Sequence, residues 1–299
     1  MAVSLYKISK WAKMLLGKSS LHVNQDEGKC YSKEGVRGYY NNLTEKITRF
    51  GKREIVPKQF VDTGEEIYFS IAIFQYGLAA YDLYLLKKDK SMLDIVKGCA
   101  DWALENQQEN GSWITFAYKH NDNPYSSMAQ GEAMSLLVRA FLQFKDIRYQ
   151  DAAKKAMSFM LLPLEKGGTA SYKGEDLYLY EATNLPCVLN GWIFSAWGLY
   201  DYAQAFNDDY AKEKWNMTVS TMANNLCRFD NGYWSKYTLG NMVASPFYHK
   251  LHIAQLNVMY DITGIEVFKR YADKFSVYQN SIICRNGAFL CKAIQKLAE

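Results

Sequence analysis

Four times along this 299-residue chain, an almost wholly apolar segment precedes an amphipathic segment of similar length. Residues 187–206 are apolar on nearly every side, whereas residues 266–280 carry their charges on one helical face. A helix that is apolar all round must be buried, and an amphipathic helix lies between core and solvent. The repeat therefore predicts inner helices that alternate with outer ones.

The eight predicted helices define the expected fold class. The inner helices cover residues 68–86, 127–144, 187–206 and 248–263, and the outer helices cover residues 91–108, 149–162, 209–227 and 266–280. Because one helix pair cannot cover its apolar face without its neighbours, we predict an α-dominated (α/α) barrel, or toroid, of about four helix pairs. A flat solenoid is the main rival architecture.

A glycine is predicted to close each unit of the repeat. The predicted stops are Asn110-Gly111, Gly167-Gly168, Asn231-Gly232 and Asn286-Gly287, and the aromatic or β-prone stretches after them begin at Ser112, Thr169, Tyr233 and Ala288. Glycine often ends a helix because it adopts the left-handed backbone conformation without strain. We therefore expect short β-hairpins between the units.

The first fifty residues do not follow the repeat. Within residues 1–18, Leu5 and Ile8 begin an apolar stripe that lies between lysines, as in a basic amphipathic helix. Such a helix either caps the barrel or lies on an anionic membrane surface. We therefore divide the chain into an N-terminal extension, residues 1–50, and a barrel domain, residues 51–299.

Charge and cysteine content argue against several classes of protein. The net charge is +4, and lysine and arginine are spread along the chain, which disfavours a nucleic-acid-binding protein. No stretch reaches the roughly 18 apolar residues of a membrane span, and no leader sequence is recognisable. The six cysteines contain no CxxC pair and are expected to be reduced. We expect a cytoplasmic protein whose only membrane contact, at the inner face, would be through residues 1–18.

Polar residues interrupt the predicted inner helices. They are Gln75, Gln130, Glu132, Asn190, Tyr248, His249, His252 and Gln255. Each alone is explained by a buried backbone group that needs a hydrogen-bond partner, but eight together favour a barrel with a functional centre. Tyrosine outnumbers phenylalanine by 23 to 15, which also indicates a polar-lined aromatic surface.

Three segments combine tyrosines with a carboxylate or a histidine near a predicted helix start. They are residues 123–132 with Tyr125, residues 175–181 with Glu181, and residues 247–252 with Tyr248 and His252. The aromatic setting of Glu181 is expected to raise its pKa, so that it exchanges protons near neutral pH. We find no glycine-rich phosphate loop, zinc-binding pair or nucleophile elbow, and we expect no cofactor and no metal.

These segments resemble the hallmark segments of the heparosan glucuronyl C5-epimerase C-terminal domain. The similar stretches run from Tyr125 to Phe141, from Val188 to Asp201, from Tyr248 to Leu256 and from Phe74 to Leu78, and together they span roughly residues 39–261 in the order of the family. The resemblance implies an (α/α) barrel that inverts C5 of D-glucuronate within an acidic, heparosan-like polysaccharide and gives L-iduronate. It implies that no cofactor is needed.

Carried over by position, the resemblance implies the candidate catalytic residues Tyr248, Tyr237, Glu181 and Tyr180. Tyr248 matches a family tyrosine that acts as an acid or a base. A second family tyrosine lies in the preceding hairpin, where this chain offers Tyr237 and Tyr233. Glu181, with Tyr180 before it, matches a family glutamate. The chain departs from the family at this glutamate, because the segment is shorter and lacks the usual Glu-Tyr-Pro run.

The chemistry of epimerisation agrees with these residue types. A C5 hydrogen lies α to a carboxylate and is very weakly acidic, so the enzyme must neutralise the carboxylate and stabilise the developing charge. Inversion needs one group on each face of the sugar, such as Tyr248 with Glu181 or Tyr248 with Tyr237. The predicted substrate-binding residues are His252, His249, Lys250, Tyr233, Trp234, Tyr125, Gln130, Asn190 and Gln75.

Three other functions stay open. A polysaccharide lyase begins with the same proton abstraction and then expels the 4-linked sugar. A glycoside hydrolase on the same architecture needs two positioned carboxylates. A non-catalytic polysaccharide-binding or assembly protein would keep the barrel without the chemistry.

A homodimer is also compatible with the sequence.

Overall fold

The computed structural model describes residues 25–49, 54–61, 63–119 and 122–298, and the amphipathic helix predicted over residues 1–18 lies outside them. The helices are α1 Glu45–Thr48, α2 Ser70–Lys87, α3 Met92–Asn106, α4 Ser127–Phe144, α5 Ile147–Met160, α6 Leu189–Phe206, α7 Asp209–Asn225, α8 Pro246–Thr263, α9 Glu266–Asn280 and α10 Ile282–Ala298. The strands are β1 Gln59–Phe60, β2 Glu66–Ile67, β3 Ala170–Lys173 and β4 Asp176–Leu179.

Eight of these helices follow the predicted alternation. Helices α2, α4, α6 and α8 correspond to the predicted inner helices, and α3, α5, α7 and α9 correspond to the outer ones. Along α4, every residue from Ser127 to Ala140 is buried, whereas α9 buries four of its 15 residues. The prediction of an α-dominated, (α/α) class of fold with short β-hairpins is confirmed.

Local signals set several helix ends. The Ser126 hydroxyl accepts a hydrogen bond from the Ala129 amide at 3.3 Å and caps α4. Gly264 ends α8 in the left-handed conformation, with φ of 69°. Gly111 and Gly232, both at φ of 91°, form turns at two of the predicted stops.

The predicted hairpins are only partly regular. Strand β3 pairs with β4 in antiparallel register, after the predicted stop at Gly167. The stretch after Ser112 is irregular, because the amides of Thr115 and Phe116 both donate to the Pro124 carbonyl. The stretch that begins at Tyr233 forms isolated antiparallel bridges instead of a continuous ladder.

The fourth predicted stop, Asn286-Gly287, is wrong, and so is the strand expected after it at Ala288. Helix α10 runs through all three residues from Ile282 to Ala298. A glycine inside a helix costs about 1 kcal/mol relative to alanine. Ala288 is buried in a cluster with Trp234, Val243 and Ala244, and Cys284 and Cys291 pack against the same cluster. The burial of this whole helix face offsets the cost of the glycine.

The structure divides into two compact units. Of the described residues, the larger unit contains those within Gly28–Cys187 and Gly191–Thr221, and the smaller unit contains Val188–Asn190, residues 25–27 and residues 222–298. Among the described residues, no helix combines the length and the hydropathy that crossing a membrane requires.

Within the larger unit, α4 and α6 approach each other at glycines. A Cβ atom at Gly131 would lie 2.5 Å from the Ser195 Cα atom and 2.7 Å from the Phe194 carbonyl oxygen. A Cβ atom at Gly198 would lie 2.5 Å from the Gly131 Cα atom. The two inner helices therefore touch backbone to backbone, and only glycine fits at these positions.

A buried ion pair joins the same two helices. The Arg139 guanidinium on α4 donates to both carboxylate oxygens of Asp201 on α6, at 2.6 and 3.2 Å. Its remaining donors bond the carbonyls of Ser135, Arg37 and Gly38 at 2.8, 3.0 and 2.9 Å. All five guanidinium donors are thus used, as a fully buried arginine requires.

We predict that Gly131→Ala lowers the free energy of unfolding by about 1–3 kcal/mol or more, because the added methyl group meets backbone that cannot move aside. Gly287→Ala is the matched control, since no atom lies within 4 Å of the added Cβ atom. It should raise the free energy of unfolding by up to about 1 kcal/mol. Urea denaturation measures both, and equal effects of the two substitutions would contradict the close approach of α4 and α6.

Candidate active site

In the smaller unit, Tyr237 and Tyr248 form a contacting pair. Helix α8 begins at Pro246 because the Ser245 hydroxyl accepts a hydrogen bond from the Tyr248 amide at 3.4 Å, and this cap places Tyr248 in the first turn. The ring centroids of Tyr237 and Tyr248 are 4.8 Å apart, with 50° between the ring planes. Both tyrosines are partly exposed. The sequence offered both Tyr237 and Tyr233 as the second tyrosine, with Tyr237 named as the catalytic candidate.

The segment that carries Tyr237 is held by turns and isolated bridges. The Asn231 side chain accepts hydrogen bonds from the amides of Tyr233 and Trp234 at 3.2 and 2.8 Å. The Tyr237 amide donates to the Met242 carbonyl at 2.6 Å, and the Tyr237 carbonyl accepts from the Leu189 amide at 3.1 Å. The backbone of Tyr237 is therefore fixed on both sides.

Tyr233 differs from Tyr237 in its surroundings. Burial, followed by a hydrogen bond to Cys291, raises the pKa of Tyr233 to about 12. Its hydroxyl lies beside a thiol on α10, whereas the ring of Tyr237 contacts Tyr248. The geometry favours Tyr237 over Tyr233 as the partner of Tyr248.

Trp234 and His249 connect this segment to α8. Their rings are stacked, with centroids 3.5 Å apart and 12° between the planes. The Trp234 indole donates to the Ala244 carbonyl at 3.1 Å, and both side chains are fully buried. Both were predicted as substrate-binding residues, but this burial gives them packing partners in the core.

Ser235 links the two histidines of α8. Its hydroxyl oxygen lies 2.8 Å from Nδ1 of His249 and 2.9 Å from Nδ1 of His252. The Ser235 amide also donates to Nδ1 of His249 at 3.1 Å, so that nitrogen is an acceptor. The proton of His249 is therefore on Nε2, which donates to the Phe275 carbonyl at 3.0 Å.

Both imidazoles are neutral at physiological pH. Burial lowers the pKa of His249 to about 3. Burial, followed by the proximity of His249, lowers the pKa of His252 well below its usual value. Nε2 of His252 and Oε1 of Gln255 are buried without a hydrogen-bond partner, one turn apart on α8.

Two further predicted residues of the smaller unit have other partners. Lys250 points to the surface and forms an ion pair with Asp26 at 3.1 Å. Asn190 lies in the first turn of α6, and its backbone carbonyl accepts a hydrogen bond from Gln255 at 3.3 Å. The substrate-binding roles predicted for Lys250 and Asn190 stay predictions.

In the larger unit, Glu181 follows β4 and lies against the first turn of α6. A Cβ atom at Gly191 would overlap with the Glu181 carboxylate, so the glycine of the Val-Leu-Asn-Gly segment leaves room for this side chain. The start of a helix favours a negative charge. Tyr180, directly before Glu181, is partly buried, and burial raises its pKa.

Gln75 and Glu132 form a buried pair in the larger unit. The Gln75 amide donates to Oε1 of Glu132 at 2.7 Å, and Oε2 of Glu132 has no partner. Burial raises the pKa of Glu132 well above its usual value, against the effects of the Gln75 hydrogen bond and of Lys46. Burial favours the neutral acid of Glu132.

Gln130 and Tyr125 occupy structural positions in the same unit. The Gln130 amide donates to the carbonyls of Gly111 and Ala156 at 3.0 and 3.3 Å. Tyr125 packs edge-on against Phe159, with ring centroids 4.8 Å apart. Gln130 therefore provides hydrogen-bond partners for buried backbone carbonyls, which is one of the two roles that the sequence left open for it.

Three further residues with partners near these sites were not predicted, namely Ser235 and Gln295 in the smaller unit and Lys46 in the larger unit. Ser235 lies inside an aromatic stretch and belongs to no recognisable motif. Lys46 falls within the predicted N-terminal extension, yet its charge acts on Glu132. Gln295 follows a predicted helix stop, so it was not expected on a helix. The 3.6-residue period of α10 was the available signal for Gln295.

Among the described residues, no group of three or more histidine, cysteine, aspartate or glutamate side chains is arranged to hold a metal ion. In the smaller unit, the rings of Tyr237 and Tyr248 are in contact, and Ser235 bonds to His249 and His252. This arrangement combines two phenols, which can carry protons, with a rigid and neutral support.

The chain is similar to a known protein family and to several known proteins. The family model described as D-glucuronyl C5-epimerase C-terminus matches residues 106–277, more than half of the chain. A D-glucuronyl C5-epimerase of Caenorhabditis elegans is 29% identical over 208 residues, which cover 60% of this chain and 34% of that protein. An uncharacterized protein of Methanocaldococcus jannaschii is 26% identical over 184 residues, which cover 57% of this chain and 60% of that protein.

Among solved structures, the unsaturated glucuronyl hydrolase of Bacillus sp. GL1 is similar, with a TM-score of 0.48 and 13% identity over 79% of this chain and 64% of that chain. The chain spans about a third to three fifths of the length of the two curated relatives.

We predict that His249 takes up no proton between about pH 8 and about pH 5, and that His252 stays neutral well below the usual imidazole pKa of about 6.5. Unfolded imidazoles protonate below about pH 6.5, whereas these two stay neutral in the folded chain. The pair therefore lowers the free energy of unfolding as the pH falls below about 6.5, by up to about 1.4 kcal/mol per pH unit for each residue. Proton NMR of the ring signals, assigned with His249→Gln and His252→Gln, measures the titration. A midpoint above about pH 5 for His249, or a midpoint at or above about pH 6.5 for His252, would contradict the buried, neutral pair.

Proposed function

This chain belongs to the family of the D-glucuronyl C5-epimerase C-terminus, and we propose that it inverts C5 of D-glucuronate residues to L-iduronate within an acidic polysaccharide of the heparosan type. The name of the Caenorhabditis elegans relative supports the same reaction on glucuronate. The proposed reaction changes the configuration of one carbon and leaves the length of the polymer unchanged.

The contact between Tyr237 and Tyr248 is the observation that carries this proposal. Both tyrosines are partly exposed, and Tyr248 lies at the start of α8, within the residues that match the family. A phenolate can remove the C5 proton, and a phenol can return a proton. We assign these two roles to Tyr237 and Tyr248.

A cation lies beside this pair. The Lys292 ammonium is 5.9 Å from the centre of the Tyr237 ring. Removal of the C5 proton adds negative charge next to the carboxylate of the sugar, and a nearby cation stabilises both charges. In the proposal, Lys292 takes the role that the sequence suggested for Lys250.

The buried network fixes the distance between the two tyrosines. The stack of Trp234 on His249 and the bonds of Ser235 to both histidines tie the Tyr237 segment to α8. Catalysis by two proton carriers requires fixed positions, because a displacement of about 1 Å can lower the rate about 100-fold. We therefore propose that Trp234, His249 and His252 position the tyrosines and do not bind the sugar themselves.

Incubation of the protein with heparosan tests the proposal. Proton NMR should show iduronate signals, while size-exclusion chromatography shows an unchanged polymer length. An unsaturated product that absorbs in the ultraviolet, with shorter chains, would identify a lyase instead. Shorter chains without that absorbance would identify a hydrolase, and binding without any conversion would identify a polysaccharide-binding protein. Each of these three results would overturn the proposed epimerase.

We predict that Tyr248→Phe and Tyr237→Phe each lower the rate of inversion at least about 100-fold, because each variant lacks one proton carrier. In deuterated water, one of the two variants should still exchange the C5 hydrogen with retention of configuration, since its remaining base still faces that hydrogen. NMR of the C5 position measures inversion and exchange separately.

Tyr210→Phe is the control for these variants, because Tyr210 is a half-exposed tyrosine on α7 outside the network. It should leave the rate unchanged. A variant of Tyr237 or Tyr248 that inverts C5 at the wild-type rate would remove that tyrosine from the mechanism. Glu181→Gln in the same assay tests the remaining predicted carboxylate.

A further inference from the structure

We propose that α10 acts as a clamp on the loop of residues 236–243, and that Gln295 is a positioning residue for Tyr237. The catalytic part of this inference rests on the proposed function, whereas the clamp itself does not. Helix α10, Ile282–Ala298, lies beyond residues 106–277, which match the family. The clamp is therefore a feature of this chain that the family match does not include.

The Gln295 side chain makes two hydrogen bonds to one short stretch of backbone. Its Oε1 accepts from the Val243 amide at 3.0 Å, and its Nε2 donates to the Asn241 carbonyl at 2.6 Å. The two bonds lie on either side of Met242. The carbonyl of Met242 in turn accepts the Tyr237 amide at 2.6 Å. Gln295 therefore holds the two residues beside Met242, and Met242 is bonded to the backbone of Tyr237.

The loop is paired only through single contacts and not through a continuous ladder. Isolated antiparallel bridges join Lys236 with Val243 and Thr238 with Val188, and the Tyr237 carbonyl accepts a hydrogen bond from the Leu189 amide. An isolated two-stranded hairpin is marginally stable in water even when its ladder is continuous. A loop with single bridges therefore needs support from outside, and the Gln295 side chain supplies two hydrogen bonds.

One face of α10 packs against the loop and the residues that flank it. Ala288 is buried against Trp234, Val243 and Ala244, and Cys284 and Cys291 pack against the same cluster. Residues 284, 288, 291 and 295 are spaced by four, three and four positions, so they share one helical face. That face holds Gln295 over the loop, and Lys292 lies beside it, over the Tyr237 ring.

An exposed residue on another face of α10 provides a matched control. Ile294 is next to Gln295 in sequence but is 63% exposed. Substitution of either residue by alanine keeps a strong helix former at that position. A difference between Gln295→Ala and Ile294→Ala therefore reports the hydrogen bonds of Gln295 and not the stability of the helix.

Amide hydrogen exchange tests the clamp without any substrate. In the full chain with Gln295→Ala, the amides of Val243 and Tyr237 should exchange about tenfold faster than in the wild type, because the loop opens more often. Ile294→Ala should leave both unchanged. Gln295→Glu keeps the acceptor for Val243 but loses the donor to Asn241, and should give an intermediate rate. Unchanged exchange at Val243 in Gln295→Ala would overturn the clamp.

Steady-state kinetics on heparosan test the positioning of Tyr237. Gln295→Ala should lower kcat about 10-fold to 100-fold with little change in KM, and Gln295→Glu should recover part of the loss. A variant with faster loop exchange and an unchanged kcat would overturn the positioning role. If the wild type converts no glucuronate polymer while the exchange results hold, the clamp stands and the proposed function fails.

Discussion

A single buried guanidinium determines how the larger unit is assembled. Arg139 on α4 uses its five donors on Asp201 of α6 and on three backbone carbonyls, two of which belong to residues 37 and 38. The phenol of Tyr40 donates to the same carboxylate at 2.8 Å. If Arg139 were lost, Asp201 would be a buried and unpaired charge, which costs about 3–5 kcal/mol.

This ion pair fixes the register of α4 against α6, two helices whose surfaces are otherwise uniformly apolar. Apolar side chains alone favour burial but specify rotation and register poorly. The glycine contact between Gly131 and Gly198 sets the distance between α4 and α6, and Arg139 with Asp201 sets their register. The smaller unit follows the same rule, since Ser235 bonds to His249 and thereby fixes an aromatic segment against α8.

The sequence alone was sufficient to predict the helices whose hydrophobic pattern is strong. The inner helix predicted over residues 187–206 is observed as Leu189–Phe206, because an apolar helix can lie nowhere but in the core. The same reasoning missed α10. Asn286-Gly287 predicted the end of a helix, but the helix continues through both residues, and Ala288 is buried in a core cluster. Local propensity is a weak guide where packing opposes it.

The candidate site was predictable in its residues but not in their roles. Motif spacing indicated Tyr248, His249 and His252, yet only the structure shows that Ser235 and Trp234 enclose His249 and that Lys250 pairs elsewhere. Side-chain partners from distant segments leave no periodic trace in a sequence. For the same reason, the sequence did not separate Tyr233 firmly from Tyr237, whereas their surroundings differ.

The central claim is that this chain removes the C5 proton of glucuronate and returns one to the opposite face. The most direct measurement uses heparosan labelled with deuterium at C5, incubated with the protein in ordinary water. We predict that the label is lost to solvent while iduronate appears and the polymer keeps its length. Complete retention of the label at C5, with the protein folded and bound to the polymer, would contradict the account.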